Sequence, residues 1–299
     1  MRLQKRERPR VKINEVNNLN PHQHSWLYDL RGNTAPLFFI LGPCVLENLD
    51  HTLRLAEYLT QLTEQLGVRY IFKGSFDKAN RTSLENYRGL GMDQGLEILR
   101  VVREQFGVPV VTDIHESWQA EVAASVVDVL QIPAFLCRQT DLLQAAGKTG
   151  RVVHVKKAQF MRPEKIEGAL HKVKATGNQA VWLCERGFTL GYVDLVVDYR
   201  SFPIMKSFGH PVVFDVTHAV QKPGELGKAT GGDRSFVPGL AAAAVAQGIA
   251  GVFMEVHNEP EKALSDGPNS VRLSQLPELL KYLIDLDAWV KSRPLPEMF

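Results

Sequence analysis

The sequence predicts a (β/α)₈ TIM barrel with a short N-terminal extension, on three observations. Eight short aliphatic or β-branched runs alternate with eight segments of helical period, the helical segments tend to close on glycine, and every run delivers a polar or thiol side chain at its C-terminal end. A length of 299 residues suits one such barrel, which uses about 250 residues as a single domain. The chain therefore divides into an arm or hairpin over 1–36 and one barrel catalytic domain over 37–299. No G-x-G-x-x-G follows the first run, which argues against a doubly wound dinucleotide-binding sheet.

The first strand covers 37–42 and runs through Gly42 and Pro43 to Cys44. The helix after it, 51–66, carries leucines at 55, 59, 62 and 66, so they share one face; Asn48 or Asp50 can cap it and Gly67 can end it. Strand 68–73 is followed by helix 92–106, strand 109–113 by helix 117–125, and strand 128–132 by helix 139–146. Strand 152–156 leads to helix 163–175, strand 181–185 to helix 197–208, strand 211–215 to helix 236–248, and strand 250–255 to helix 274–291.

Composition narrows the function classes. With 44% hydrophobic and 23% charged residues the chain has the make-up of an ordinary soluble protein with a substantial core. Lys and Arg total 35 against 33 acidic residues, and a net charge of +2 gives no global case for nucleic acid or an acidic membrane as partner. The basic run from Arg2 to Lys12 lacks interleaved aromatics, so no nucleic-acid partner is expected. Three widely spaced cysteines, Cys44, Cys137 and Cys184, read as cytosolic thiols rather than a disulfide framework. Without a transmembrane-length apolar run or a secretory signal, the chain reads as cytoplasmic and without a membrane partner.

The active site of such a barrel forms at the strand C-termini, where this chain places Cys44, Lys73, Asp113 with His115, Gln131, Lys156, Arg186, Asp215 with His218, and Glu255 with His257. An Asp after a strand commonly caps the next helix, and a lone Lys is commonly solvated. Polar or thiol groups from all eight strands on one rim form a far more specific pattern. The loop after the second strand adds Ser75, Lys78, Asn80, Arg81 and Thr82, a mix of cations, amide and hydroxyls that suits phosphate oxygens. Lys73, Lys78, Arg81, Lys156 and Arg186 on one mouth would repel one another unless an anion sits among them. A ligand, or two, with several negative charges is expected.

The runs FKGSFDKANRTS, TDIHE, QIPAFLCRQTDLL, VKKAQF, CERG, GYVDLVVD, FDVTHAVQKPG, GGDR and EVHNEPEKALSDGP occur in the order found in the 3-deoxy-D-manno-octulosonate 8-phosphate synthases, which the chain resembles from about Leu37 to about Leu283. The resemblance implies a homotetrameric barrel that condenses phosphoenolpyruvate with arabinose 5-phosphate, in the pathway to the lipopolysaccharide inner-core sugar. The nearest relatives of that family make 3-deoxy-D-arabino-heptulosonate 7-phosphate from erythrose 4-phosphate. They typically show K-P-R-T-S where Lys78 to Ser83 here reads K-A-N-R-T-S. A metal-dependent barrel hydrolase is a further alternative, but it would not need five rim cations.

The family has a metal-independent branch, with Asn at the position of Cys44, and a metal-dependent branch with Cys, which this chain resembles. The resemblance implies Cys44, His218, Glu255 and Asp266 as ligands of a divalent metal. Their thiolate, imidazole and carboxylates suit Zn²⁺ or Fe²⁺, with Mn²⁺ or another ion as a further option. It also implies that Lys73, Lys78, Gln131, Ala134, Lys156 and Arg186 hold phosphoenolpyruvate, that Asn80, Arg81 and Thr82 take the pentose phosphate, and that Asp113 holds a sugar hydroxyl. Phe135 and Arg138 are expected to close a neighbouring subunit's site. Lys78 and His218 are the candidates for proton handling, with Asp113 and Lys156 beside them among the catalytic groups.

Overall fold

The computed structural model describes residues 24–79, 83, 85–189, 194–222 and 231–293. Eight strands alternate with eight helices: β1 (Phe38–Gly42), α1 (Leu49–Leu66), β2 (Tyr70–Lys73), α2 (Met92–Phe106), β3 (Val110–Asp113), α3 (Gln119–Ala124), β4 (Val129–Ile132), α4 (Thr140–Lys148), β5 (Val152–Lys156), α5 (Glu167–Lys174), β6 (Val181–Glu185), α6 (Ser201–Lys206), β7 (Val212–Asp215), α7 (Val237–Val245), β8 (Gly251–His257) and α8 (Leu276–Ser292). The strands pair in parallel in chain order, and β1 pairs with β8 through Phe38↔Gly251 to Gly42↔Glu255, which closes the barrel. The (β/α)₈ expectation holds.

Side chains alternate across each strand with a period of two. Phe38, Ile40, Ile71, Val111, Val129, Val152, Trp182, Val213 and Phe253 face one another inside the barrel, whereas Phe39, Leu41, Phe72, Val110, Leu130 and Val153 pack outward against the helices. Both faces are buried, as crossover helices require of parallel strands. Continuing the inward series by two residues reaches Lys73, Asp113, Gln131, Asp215 and Glu255, and by four residues from Val152, past His154, reaches Lys156, all buried. One parity thus fills the barrel with apolar groups below and charged groups at its mouth.

Several boundaries differ for local reasons. Asn48, not Asp50, caps α1 by accepting the His51 amide at 2.8 Å, and Gly67 ends the helix in the left-handed conformation. The expected helix over 197–208 shrinks to α6 because Val196 is held in an antiparallel bridge to Phe188 and Asp198 turns the chain by accepting the Arg200 amide. The segment expected over 163–175 opens as a 3₁₀ turn, Pro163–Ile166, before α5. The last strand runs on to His257, two residues past the expected end.

Of the expected arm over 1–36, residues 24–36 are described. A one-turn helix, Trp26–Asp29, places Leu27 and Leu30 in the interior cluster at the N-terminal end of the barrel, beside Phe38 and Trp182. Asn33 anchors this plug by accepting the Val212 amide at 2.8 Å and donating to the His210 carbonyl at 3.1 Å. From α8, Asp287 accepts the Leu37 amide at 2.9 Å and Lys291 donates to the Ala35 carbonyl at 2.6 Å.

Candidate active site

The turn Gly42-Pro43-Cys44 is fixed by the strand next to it. Lys73, at the end of β2, donates from its ammonium to the carbonyls of Pro43 at 3.0 Å and Cys44 at 2.5 Å, and to the Glu255 carboxylate at 2.8 Å. A side chain at Gly42 would collide with the Lys73 backbone carbonyl, so β1 and β2 approach this closely only with glycine there. Lys156 is ion-paired with Asp215, and its ammonium lies 3.9 Å from the centre of the Phe253 ring. Lys78 donates to the Ser75 hydroxyl at 2.9 Å and stands 3.9 Å from Glu255. Among the described cations, Lys73, Lys78 and Lys156 are matched by Asp113, Asp215, Glu255 and Asp266, so protein carboxylates supply part of the negative charge expected of a ligand.

What stays open is specific. The Arg186 guanidinium donates from Nη2 to Gln221 at 2.7 Å, while Nη1 is buried without a hydrogen-bond partner among the described residues. Gln131 Oε1 and Asp113 Oδ1 are likewise buried and unpartnered. Buried polar atoms are normally satisfied, so three open ones aimed into one mouth mark positions for ligand or water. Burial works against ionising Asp113, yet the Lys78 ammonium, the His115 imidazole and Lys73 hold its carboxyl well below the usual range. Burial likewise lowers Arg186 and Lys73, the latter against the attraction of Glu255.

Cys44, Glu255 and Asp266 bring three ligand atoms within 4.8 Å of one another. The Cys44 sulfur lies 2.9 Å from the Ser265 hydroxyl and 3.3 Å from Asp266 Oδ2. Asp266 adopts a left-handed backbone conformation (φ 49°), uncommon for a residue with a side chain. His218 stands at the edge of this cluster, with Nδ1 2.7 Å from Asp215 and Nε2 3.6 Å from Glu255. The donor set fits a divalent cation: Glu255 Oε1 is taken by Lys73, but Oε2 is buried with no partner among the described residues. Burial, followed by the charges of Asp266 and Glu255, pushes the Cys44 thiol far up, and a bound cation reverses that balance.

The remaining expected residues divide. Ser75 and Ala134 are buried at the mouth, whereas Phe135 and Arg138 are exposed and stay outside the cluster. Asn80, Arg81 and Thr82 lie outside the described residues. The structure adds groups that pattern reasoning passed over. Gln221 bridges Arg186 to Asp266, donating to the latter at 3.3 Å, and Thr217 accepts the Glu255 amide at 3.0 Å. Glu185 accepts the amides of Arg186 and Gly187 at 2.9 and 2.7 Å and faces Lys157 at 3.4 Å, which sets the direction of the arginine. Thr217 and Glu185 adjoin His218 and Arg186, residues already singled out, whereas Gln221 stands three residues past His218.

Known proteins resemble this chain over most of its length. The family model described as the DAHP synthetase I family matches residues 18–292. A 2-dehydro-3-deoxyphosphooctonate aldolase from a Geobacter species is 56% identical over 261 residues, covering 87% of this chain and 96% of the relative. The protein of that name from Trichlorobacter lovleyi is 57% identical over 260 residues, with the same coverage. One from a Cyanothece species is 55% identical over 253 residues, or 85% of this chain and 93% of the relative. With a match that takes in the whole barrel and its charged mouth, the chain belongs to the DAHP synthetase I family.

Proposed function

We propose that the chain condenses phosphoenolpyruvate with D-arabinose 5-phosphate and water, giving 3-deoxy-D-manno-octulosonate 8-phosphate and phosphate. That product is the phosphorylated sugar acid in the relatives' name, 2-dehydro-3-deoxyphosphooctonate. The observation that carries the reading is the open guanidinium edge of Arg186 beside Lys73, Lys156 and Gln131, next to a thiol and two carboxylates. Phosphoenolpyruvate carries up to about three negative charges and the pentose phosphate about two, which cations at close range must offset. Lys73, Lys78, Gln131, Ala134, Lys156 and Arg186 hold the first substrate, Asn80, Arg81 and Thr82 the phosphate of the second, and Asp113 a sugar hydroxyl.

The enol phosphate is already a carbon nucleophile, so the reaction needs no Schiff-base lysine. Its methylene carbon bonds to the aldehyde carbon, whose oxygen takes up a proton. Positive character grows on the carbon bearing the phosphate, and water adds there and gives up a proton. The hemiketal phosphate then collapses with C–O cleavage and phosphate leaves. Lys78 handles protons at the reacting oxygens, and His218 joins it only where its Nε2, turned toward Glu255 with Asp215 against Nδ1, is not bound to a cation. A divalent cation held by Cys44, Glu255, Asp266 and His218 supplies polarisation of an aldehyde or water oxygen. Thiolate and imidazole donors favour Zn²⁺ or Fe²⁺ over Mg²⁺ or Ca²⁺.

The exposed Phe135 and Arg138 support a homotetramer in which each subunit completes a neighbour's mouth. Three buried free thiols support a reducing, cytoplasmic setting; no described helix is long and apolar enough to cross a membrane. The test is incubation with phosphoenolpyruvate and a panel of aldose phosphates, assaying phosphate and 3-deoxy acid together. Both products are expected, with arabinose 5-phosphate preferred. Equal or faster turnover of erythrose 4-phosphate assigns the heptulosonate reaction instead, and phosphate without a 3-deoxy acid assigns a hydrolase.

A further inference from the structure

A second group of metal-ligating side chains stands on the rim and shares no residue with the first. Glu47 lies in the loop after β1, His51 in the first turn of α1, and His257 is the last residue of β8. Their ligand atoms lie within 4.8 Å of one another. His257 is 4% exposed, and its Nε2, 3.3 Å from Glu47 Oε1, makes no hydrogen bond among the described residues. The His51 and His257 ring centres are 4.7 Å apart with planes inclined by 36°. We propose that Glu47, His51 and His257 form a second cation site, selective for a divalent transition ion such as Zn²⁺, Co²⁺ or Ni²⁺, which ties the loop after β1 to the end of β8.

The proton positions support His51 directly. Its Nε2 meets Asn258 Oδ1 at 2.9 Å, so in the neutral ring the proton sits on Nε2, and the lone pair on Nδ1 points into the site, buried and without a partner among the described residues. A ligating imidazole held at its far nitrogen by an oxygen acceptor is the usual outer-shell arrangement. His257 is poised the other way. Its Nδ1 accepts the Glu259 amide at 3.0 Å, which places the proton on Nε2. A cation taking Nε2 moves that proton to Nδ1 and releases the Glu259 amide to water, where the half-exposed turn lets it go. This exchange makes the site weaker than the thiolate site. Two imidazoles and one carboxylate leave coordination positions to water and select against Mg²⁺ and Ca²⁺. Glu255 and His257 are two residues apart on one strand, so the two sites lie about 7 Å apart by strand rise. The new one straddles the seam where β8 closes on β1.

Cobalt reports the two sites separately, since only the Cys44 site can give a thiolate charge-transfer band. The full chain is stripped with chelator and titrated with Co²⁺, following absorbance, bound metal by equilibrium dialysis, and the thermal midpoint. A second equivalent without added thiolate absorbance is expected. It persists in Cys44→Ala and raises that variant's midpoint; it disappears, with the midpoint shift, when His51→Ala is added. His51→Gln in the otherwise unchanged chain keeps the thiolate band and loses the second equivalent, so the test does not depend on Cys44→Ala folding. Absence of a second equivalent in the parent chain overturns the site, as does one that survives both His51→Ala and His51→Gln. Failure of the Cys44 reading shows separately, as a missing thiolate band with the His51-dependent equivalent intact.

Discussion

Cys44 owes its chemistry to its neighbours rather than to its own acidity. Burial and the two carboxylates oppose the thiolate, so on the proposed reading it would form only with a cation joining Glu255 and Asp266. Chelation should therefore abolish activity in the parent chain, and Cys44→Ala should be nearly inactive. Cys44→Asn should retain measurable activity that chelator does not remove, because the amide hydrogen-bonds water or the carboxylates that the ion held. Steady-state rates before and after exhaustive chelation, with metal analysis, check all three; undiminished activity of the metal-free parent chain returns Cys44 to a packing role. Cys44 and Glu255 were legible because strand ends are where a barrel keeps its chemistry, whereas Asp266, in the loop after β8, came only from the family resemblance. Ser265, Gln221 and Thr217 were not, since each acts by hydrogen-bonding a neighbour, and hydroxyl and amide residues carry no spacing signal for that. Arg186 was legible, but its support by Glu185 and Lys157 depends on the fold around two successive amides.

At the scale of the element, strand parity sets both core and site. A period of two makes each inward residue near a strand's C-terminus a candidate once its apolar predecessors are known to face inward, which is why most of the mouth could be read from the sequence. The same parity explains Gly42, which points inward where the Lys73 carbonyl already lies. Gly42→Ala should force β1 from β2 and shift both Cys44 and the Lys73 ammonium, costing on the order of 1–3 kcal/mol or more. Thermal unfolding and Co²⁺ thiolate absorbance should both be impaired; an unchanged midpoint with intact absorbance would show that the turn relaxes freely. Helix bounds were less legible where tertiary contacts override periodicity. The segment over 197–208 has helical spacing, but the Val196 bridge and the Asp198 turn consume its first residues. The extension of β8 to His257 was hidden because a polar residue ending an apolar run also reads as loop.

Taken whole, the barrel axis has three tiers: an apolar floor closed by Leu27 and Leu30, a middle containing His154, and the charged mouth. His154 is fully buried with both ring nitrogens unpartnered among the described residues, and burial together with Lys156 pushes it down to about 3. An unfolded histidine titrates near 6.5. Between those values the unfolded chain binds the extra proton, so stability falls as pH falls from about 6.5 toward 3, by about 1.4 kcal/mol per unit. Denaturant unfolding of the parent chain at pH 7 and pH 5 should differ by about 2 kcal/mol more than that of His154→Asn; equal differences would show that His154 is protonated or hydrated in the folded barrel. The floor was the least legible tier, because a single helical turn, Trp26–Asp29, carries too few residues for a periodic signal. Its closure has a kinetic meaning. The interior above the floor is packed with side chains, so a ligand at the mouth enters and leaves from the same side. On the proposed reading, a substrate on the Lys73 and Lys156 tier that lay beneath a second one at the rim would arrive first and leave last.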